Sequence, residues 1–439
     1  MEYFARDRSF WVPVAYAAPI GLLAGLLGYA FTWAVGRATE ALWADHTDND
    51  FLSGAPWWIA LTLGGGIAVG LLRRWLRIPP EPTGALENIV ERHVDQPSAV
   101  PMIAVSFVSL SCGASLGPFD AGTRGGGAIG GWVSDRFGAD EETKRINTLA
   151  GINGGIGGLL TSPILATLFV TELNPPDSPD RYYRWLAPNL VASLFGFFVV
   201  FGFAGATFLD VFAVPGYEVE FWHFGAALVL GLVGALLART LGALVFLMKR
   251  WAMRIPSPVA RTAVGGLALG LIAVALPLTL GSGKAQLPEM IAQADQLGAW
   301  LLVAVVVGKI VAMAVSLATG FIGGPVMPTL FIGGAAGVAA HVIVPGLPPA
   351  MALSCLLVAV PGATIKAPFS MALLAALTVG VGPIEVAPAA VAVLTAYLAT
   401  AGLGLFAHVL PGKTADPTDP ENVSYRDKLF ELHHSRTTN

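Results

Sequence analysis

Residues 108–130, VSLSCGASLGPFDAGTRGGGAIG, and residues 315–337, VSLATGFIGGPVMPTLFIGGAAG, match at ten of 23 positions at a constant offset of 207. The shared residues are Val108, Ser109, Leu110, Gly113, Gly117, Pro118, Gly126, Gly127, Ala128 and Gly130, with their partners 207 residues on. A second pair follows in the same order: SPILATLFVTEL (162–173) aligns with APFSMALLAALT (367–378) at an offset of 205. Two ordered matches at nearly one offset mean that the chain is a duplicated unit. The halves run over 9–213 and 221–409 and are joined by a linker at 214–220.

The duplicated unit belongs in a membrane. Of the 439 residues 55% are hydrophobic and 12% charged, against about 25% charged in soluble domains. That balance excludes disorder and argues against an ordinary soluble enzyme. The first apolar run, Phe10 to Val35, exceeds the ~7–15 residues of a signal-peptide core and reaches the ~20 needed to span a bilayer. It is expected to be a retained first span of an all-helical, multi-pass protein of the cell membrane, with lipid as its surroundings. Net charge is −4 and the 25 Lys and Arg are scattered, so no nucleic-acid partner is expected. Cys112 and Cys355 form no zinc pattern, and the seven histidines show no metal-ligand spacing. There is no Ser-His-acid grouping, phosphate loop or cofactor motif, so neither enzyme activity nor a cofactor is expected.

Basic residues orient the spans. Arg6 and Arg8 precede the first span, Arg73, Arg74 and Arg77 end the second, and Lys249, Arg250, Arg254 and Arg261 follow a later one. The intervening loop carries Glu40, Asp45, Asp48 and Asp50, and the 214–220 linker carries Glu218 and Glu220. This predicts a cytoplasmic N-terminus (1–8), an extracytoplasmic linker and a short polar cytoplasmic tail (410–439). Half one then starts inside and half two outside, which favours inverted repeats with interrupted helices over parallel ones.

Each matched segment sets glycines and a proline between apolar flanks: Gly117, Pro118 and Gly122 in the first, Gly323, Gly324, Pro325 and Pro328 in the second. Proline is favoured in the first turn of a helix. A helix N-terminus carries free N–H groups and about half a positive charge, enough to hold an anion without a cationic side chain. Two such termini meeting at the midplane would bind a small anion and still release it. The alternative use of these glycines is close helix packing.

Taken together, these segments resemble the CLC family of chloride channels and chloride/proton antiporters, over about residues 10–410. GASLGPFDAG (113–122) is similar to the family's GxSLGxEGP element, and GKIVAMAVSLATGFIGGPVMP (308–328) to GKxxxTxxxxGxxGGxFxP. SPILATLFVTELNP (162–175) resembles APLAGxLFxxEE, and PEPTGALENIV (80–90) resembles the stretch after GSGIP. The resemblance implies a CLC-like inverted-repeat fold, a homodimer with one pore per subunit, and a path for chloride or a similar small anion. It places the anion site at Gly117, Pro118, Phe119, Asp120, Ala121, Gly324, Pro325, Val326 and Met327.

The departures bear on mechanism. The GSGIP element reads LRIPP (76–80), so Arg77 falls where the family has serine. Arg77 is thus either a pore residue or one more member of the basic cluster. The gating-glutamate position holds Phe119, followed by Asp120, and Val326 replaces the aromatic of GGxFxP. The inner-site tyrosine has no match beyond Tyr425 in the tail, which is too short for the nucleotide-binding domains that some members carry. Glu172 falls on the family's proton-transfer glutamate, and is a candidate for that role or for an interfacial one. Arg124 either adds positive potential to the path or pairs with Asp120 four residues earlier, and Lys309 and Lys366 are expected to snorkel. The expected function is therefore anion movement uncoupled from protons, or weakly coupled. The alternatives are an antiporter using Asp120, or a non-conducting sensor or regulatory protein on the same scaffold.

Overall fold

The computed structural model describes residues 8–43, 54–160, 162–176, 178–205 and 212–401. The expectations for residues 1–7, for Tyr425 and for the 410–439 tail lie outside the described residues. The first half contains α1 (Arg8–Trp43), α2 (Trp57–Trp75), α3 (Ala85–Glu91), α4 (Gln96–Ser111), α5 (Phe119–Arg136), α6 (Glu141–Gly157), α7 (Pro163–Leu173) and α8 (Pro179–Ala204). The second contains α9 (Phe221–Ala252), α10 (Pro258–Ala275), α11 (Gln286–Ala292), α12 (Ala294–Thr319), α13 (Val326–Ile343), α14 (Pro349–Ile365), α15 (Pro368–Val379) and α16 (Ala387–Ala399).

Local chemistry sets many of the helix starts. Ser162, Ser178 and Ser257 each cap a helix by accepting an N–H from three residues on, and each is followed by proline at the first helical position. The cap satisfies an amide that the helix cannot, and the proline lacks the N–H that would otherwise be orphaned. Among the described residues six helices are long and apolar enough to cross a membrane, α1, α8, α9 and α12 among them. Others stop early: α7 has 11 residues and α15 has 12, about 17–18 Å at 1.5 Å per residue against a ~30 Å hydrocarbon core.

The halves are inverted, and α2 and α10 make this visible. They share a Thr-x-x-Gly-Gly-x-x-x-Gly pattern at residues 62–70 and 262–270. A Cβ on Gly66 would lie 2.3 Å from the Thr262 carbonyl oxygen, and one on Gly266 would lie 2.2 Å from that of Thr62. Gly70 faces Val259, and Gly270 faces Ile59. Equivalent helices therefore pack against each other while running in opposite directions, with glycine permitting backbone-to-backbone approach.

One expectation fails. Lys309 does not snorkel: it is fully buried in α12. Its Nζ donates to the carbonyls of Thr279 (2.9 Å) and Gly281 (2.6 Å) and lies 4.8 Å from the centre of the Phe331 ring. The carbonyls of an irregular turn supply acceptors closer than the interface. Lys366, in contrast, is exposed at the end of α14.

Candidate functional site

The two Gly-Pro segments meet at the centre of the molecule. Gly117 N–H donates to the Gly324 carbonyl (2.8 Å), and Gly324 N–H donates to that of Gly117 (2.7 Å). Around this bridge, Ser115 N–H donates to Ser316 Oγ (3.0 Å) and Ile322 N–H donates to Ser109 Oγ (3.1 Å). Under the 207-residue offset the two glycine bonds exchange with each other, and the Ser115–Ser316 bond exchanges with the Ile322–Ser109 bond. They define a local two-fold axis through the site and explain why Ser109 and Ser316 recur.

The N-termini of α5 and α13 start at this axis. Pro118 and Pro325 are their caps, with φ of −75° and −81°. The first bonded amides are those of Ala121, on the Pro118 carbonyl, and Thr329, on the Pro325 carbonyl. The amides of Phe119, Asp120, Val326 and Met327 have no acceptor among the described residues. A Cβ on Gly324 would lie 2.9 Å from the Asp120 nitrogen, and one on Gly117 would lie 2.8 Å from Met327 Cβ. Glycine at both positions keeps this junction from being filled by its own side chains.

Consecutive side chains at the start of α5 diverge. Phe119 is fully buried, packs edge-on against Phe169 of α7 with ring centres 5.5 Å apart, and joins the same apolar cluster as Val326 and Met327. Asp120 turns the other way and meets Arg124, with Oδ1 to Nη2 at 3.0 Å and Oδ2 to Nε at 3.3 Å. Both are nearly inaccessible, and Arg124 Nη2 also donates to the Thr83 carbonyl at 2.6 Å. The helical spacing had offered this pairing, and the structure forms it.

Cavities approach the junction from two sides. One, of about 150 Å³, is bordered by Asp120, Gly323 and Pro325 and by Arg73, Lys249 and Arg261. The other, of about 320 Å³, is bordered by Leu116, Pro118, Ser282 and Lys284 and by the end of α1. The first lies at the C-terminal end of α2. The second includes Trp43, which packs against Trp58 at the opposite end of α2. The residues on either side of the Gly117–Gly324 bridge are divided between them: Gly323, Pro325 and Asp120 border the first, Leu116 and Pro118 the second.

Two predicted residues lie away from the junction. Arg77 sits in a left-handed turn (φ 53°) after α2 and is exposed, and it does not border the cavity. Arg73, one turn earlier, does, donating to the carbonyls of Gly320 (2.7 Å), Pro79 and Pro80 (2.9 Å each). Glu172, at the end of α7, reaches across the repeat boundary to the start of α15. Its Oε1 accepts the Phe369 amide (2.7 Å), and its Oε2 accepts the amide (2.8 Å) and hydroxyl (2.5 Å) of Ser370. It is thus a helix cap supplied by the other half. Among the described residues no group of three or more His, Cys, Asp or Glu could hold a metal.

The sequence profile of the family described as "Voltage gated chloride channel" matches residues 65–401. The chain belongs to this family. It is 29% identical over 318 residues to a protein of Escherichia coli named as an ion-transport protein, YfeO; the match covers 69% of this chain and 72% of that one. The YfeO of Escherichia fergusonii matches equally well. Among solved structures, a slow cyanobacterial chloride/proton antiporter superposes with a TM-score of 0.74 at 20% identity, covering 90% of this chain and 96% of the other. A CLC-type fluoride/proton antiporter gives 0.75 at 19% identity, covering 90% and 97%. These likenesses establish the CLC fold. Anion transport is the activity of the family to which the chain belongs, and the inverted repeat read from the 207-residue offset is that fold's organising feature.

Proposed function

We propose that this family member moves chloride, or a similar small anion such as fluoride, across the cell membrane through the junction of α5 and α13. The observation that supports this reading is the set of unpartnered amides at Phe119, Asp120, Val326 and Met327, at two helix N-termini flanked by cavities on opposite sides. Dipoles and amides attract an anion without the deep trap that a lysine or arginine in the narrowest part would create. Arg73, Lys249 and Arg261 make one entrance attractive to anions, and the basic-residue bias assigns that entrance to the cytoplasmic side.

Movement through this path is uncoupled from protons or weakly coupled. A side chain that competes with the anion in a proton-dependent way must titrate, and Phe119 does not. Asp120 is adjacent, but its carboxylate is engaged by Arg124 and aimed at the cavity rather than the junction. Glu172 as a proton carrier would have to give up part of its hydrogen bonding to the start of α15 each time it took a proton. The assembly is a homodimer in lipid, each subunit with its own path. Purified protein in liposomes, loaded with chloride and assayed for efflux after valinomycin sets the potential, tests the proposal. Efflux above that of protein-free vesicles is expected, and its absence would favour a non-conducting sensor on the same scaffold.

A further inference from the structure

The 150 Å³ cavity on the basic side is several times the ~30 Å³ that a water occupies in the liquid. A single halide would leave most of it to water. Its charged residues are Arg73, Arg124, Lys249, Arg261, Glu81 and Asp120. Two internal pairs account for four of these: Arg124 with Asp120 (3.0 Å), and Lys249 with Glu81 (2.8 Å). Arg73 and Arg261 remain, two guanidiniums facing one cavity with no carboxylate partner among the described residues.

Arg261 is also incompletely satisfied. Its Nη2 donates to the Ile255 carbonyl (3.1 Å), while its Nε is buried and has no partner. Arg261 nevertheless borders the cavity, and the guanidinium nitrogens that reach it form a fork shaped for an oxygen pair. Arg73 is held in place by three carbonyls, one of them Gly320, where φ is 100° and a Cβ would lie 2.2 Å from Arg73 Nη1. The backbone there accommodates the arginine and not a side chain of its own.

We propose that this cavity is a binding site for a polyatomic oxyanion of the sulfate, phosphate or carboxylate class, held by Arg261 and Arg73. The cavity wall includes Gly323 and Pro325, so an oxyanion seated there stands between solution and the start of α13 and obstructs the approach of halide. This consequence for flux rests on the transport reading above, whereas the binding itself does not.

The test uses the full-length protein and sodium sulfate as the probe. Titration calorimetry in detergent measures binding, and chloride efflux from neutral phosphatidylcholine liposomes with sulfate on both sides measures obstruction. Sulfate is expected to bind and to slow chloride efflux. Arg261→Gln is expected to weaken both effects roughly tenfold or more, the scale of one lost charge-assisted hydrogen bond. Arg261→Lys, which keeps the charge without the fork, should fall between and controls for folding. Replacing part of the lipid with phosphatidylglycerol separates the sources: slowing without sulfate, relieved by Arg261→Gln, assigns the occupant to a lipid headgroup, and slowing by sulfate alone assigns it to a free anion. Binding through Arg261 in a protein that moves no chloride would support the site and overturn the transport reading. No binding heat, no effect of sulfate on an active protein, or equal sulfate affinity in the wild type and Arg261→Gln would overturn the proposal.

Discussion

Gly117 and Gly324, 207 residues apart, exchange both of their backbone hydrogen bonds at 2.8 and 2.7 Å. The bond pair holds two half-helices of opposite repeats with their N-termini at one axis. A Cβ at position 324 would approach Phe119 Cβ to 2.8 Å and the Asp120 nitrogen to 2.9 Å, closer than real contacts allow. Gly324→Ala is expected to cost about 1–3 kcal/mol from overpacking. It should also lower chloride flux roughly tenfold or more if the same strain displaces the α5 amides. Thermal unfolding and liposome efflux on the same preparation check both; unchanged flux would separate the bridge from the path.

Phe119, at the start of α5, seats its ring on Phe169, and on the proposed path that ring obstructs the junction. Phe119→Ala removes that ring and is expected to raise flux while lowering stability by about 3–5 kcal/mol, the usual cost of emptying a buried aromatic site. Phe119→Glu introduces a titratable side chain at the same point and should make flux depend on pH. Efflux assayed at several pH values reads both variants, and lower flux in Phe119→Ala would count against the ring as an obstruction.

Asp120 and Arg124 form a buried ion pair. Removing one partner strands the other, so Asp120→Asn should destabilise by about 3–5 kcal/mol, whereas Asp120→Asn combined with Arg124→Met should recover much of the loss. Thermal unfolding of the single and double variants measures the recovery. If Asp120 served instead as the proton-sensitive gate, Asp120→Asn would abolish a pH dependence of flux present in the wild type.

Glu172 caps α15 from the other repeat through three hydrogen bonds. Glu172→Ala removes the acceptors and the favourable charge at a helix N-terminus, and is expected to cost about 1–2 kcal/mol. Glu172→Gln, which keeps one acceptor oxygen, should lose less. Melting temperatures in one detergent rank the three proteins; no change in Glu172→Ala would remove the structural role.

The duplication, the membrane setting and the Gly-Pro junction were legible because each leaves a local mark: matched glycines, sparse charge, proline at a first turn. The α2–α10 match was equally open to inspection in Thr62, Gly66 and Gly70 against Thr262, Gly266 and Gly270, but it sits at an offset of 200 rather than 207. Arg73 was not separable from Arg77 by sequence. Both lie in one basic cluster, and the left-handed turn that exposes Arg77 closes the end of α2, where the Ile78 N–H donates back to the Arg73 carbonyl (2.9 Å). Glu172 and its partners Phe369 and Ser370 are 197 and 198 residues apart, so no local pattern announces the contact. The burial of Lys309 likewise depends on carbonyls about 30 residues away, at Thr279 and Gly281.

On the proposed path an anion meets no titrating side chain at Phe119 that could exchange it for a proton. Simultaneous recording of chloride and pH in liposomes holding a chloride gradient and no initial proton gradient tests it most directly. With valinomycin and potassium clamping the membrane potential, chloride efflux is expected with little or no accompanying proton uptake, unaltered when a protonophore is added. Sustained uphill proton movement driven by the chloride gradient in the unmutated protein would contradict it.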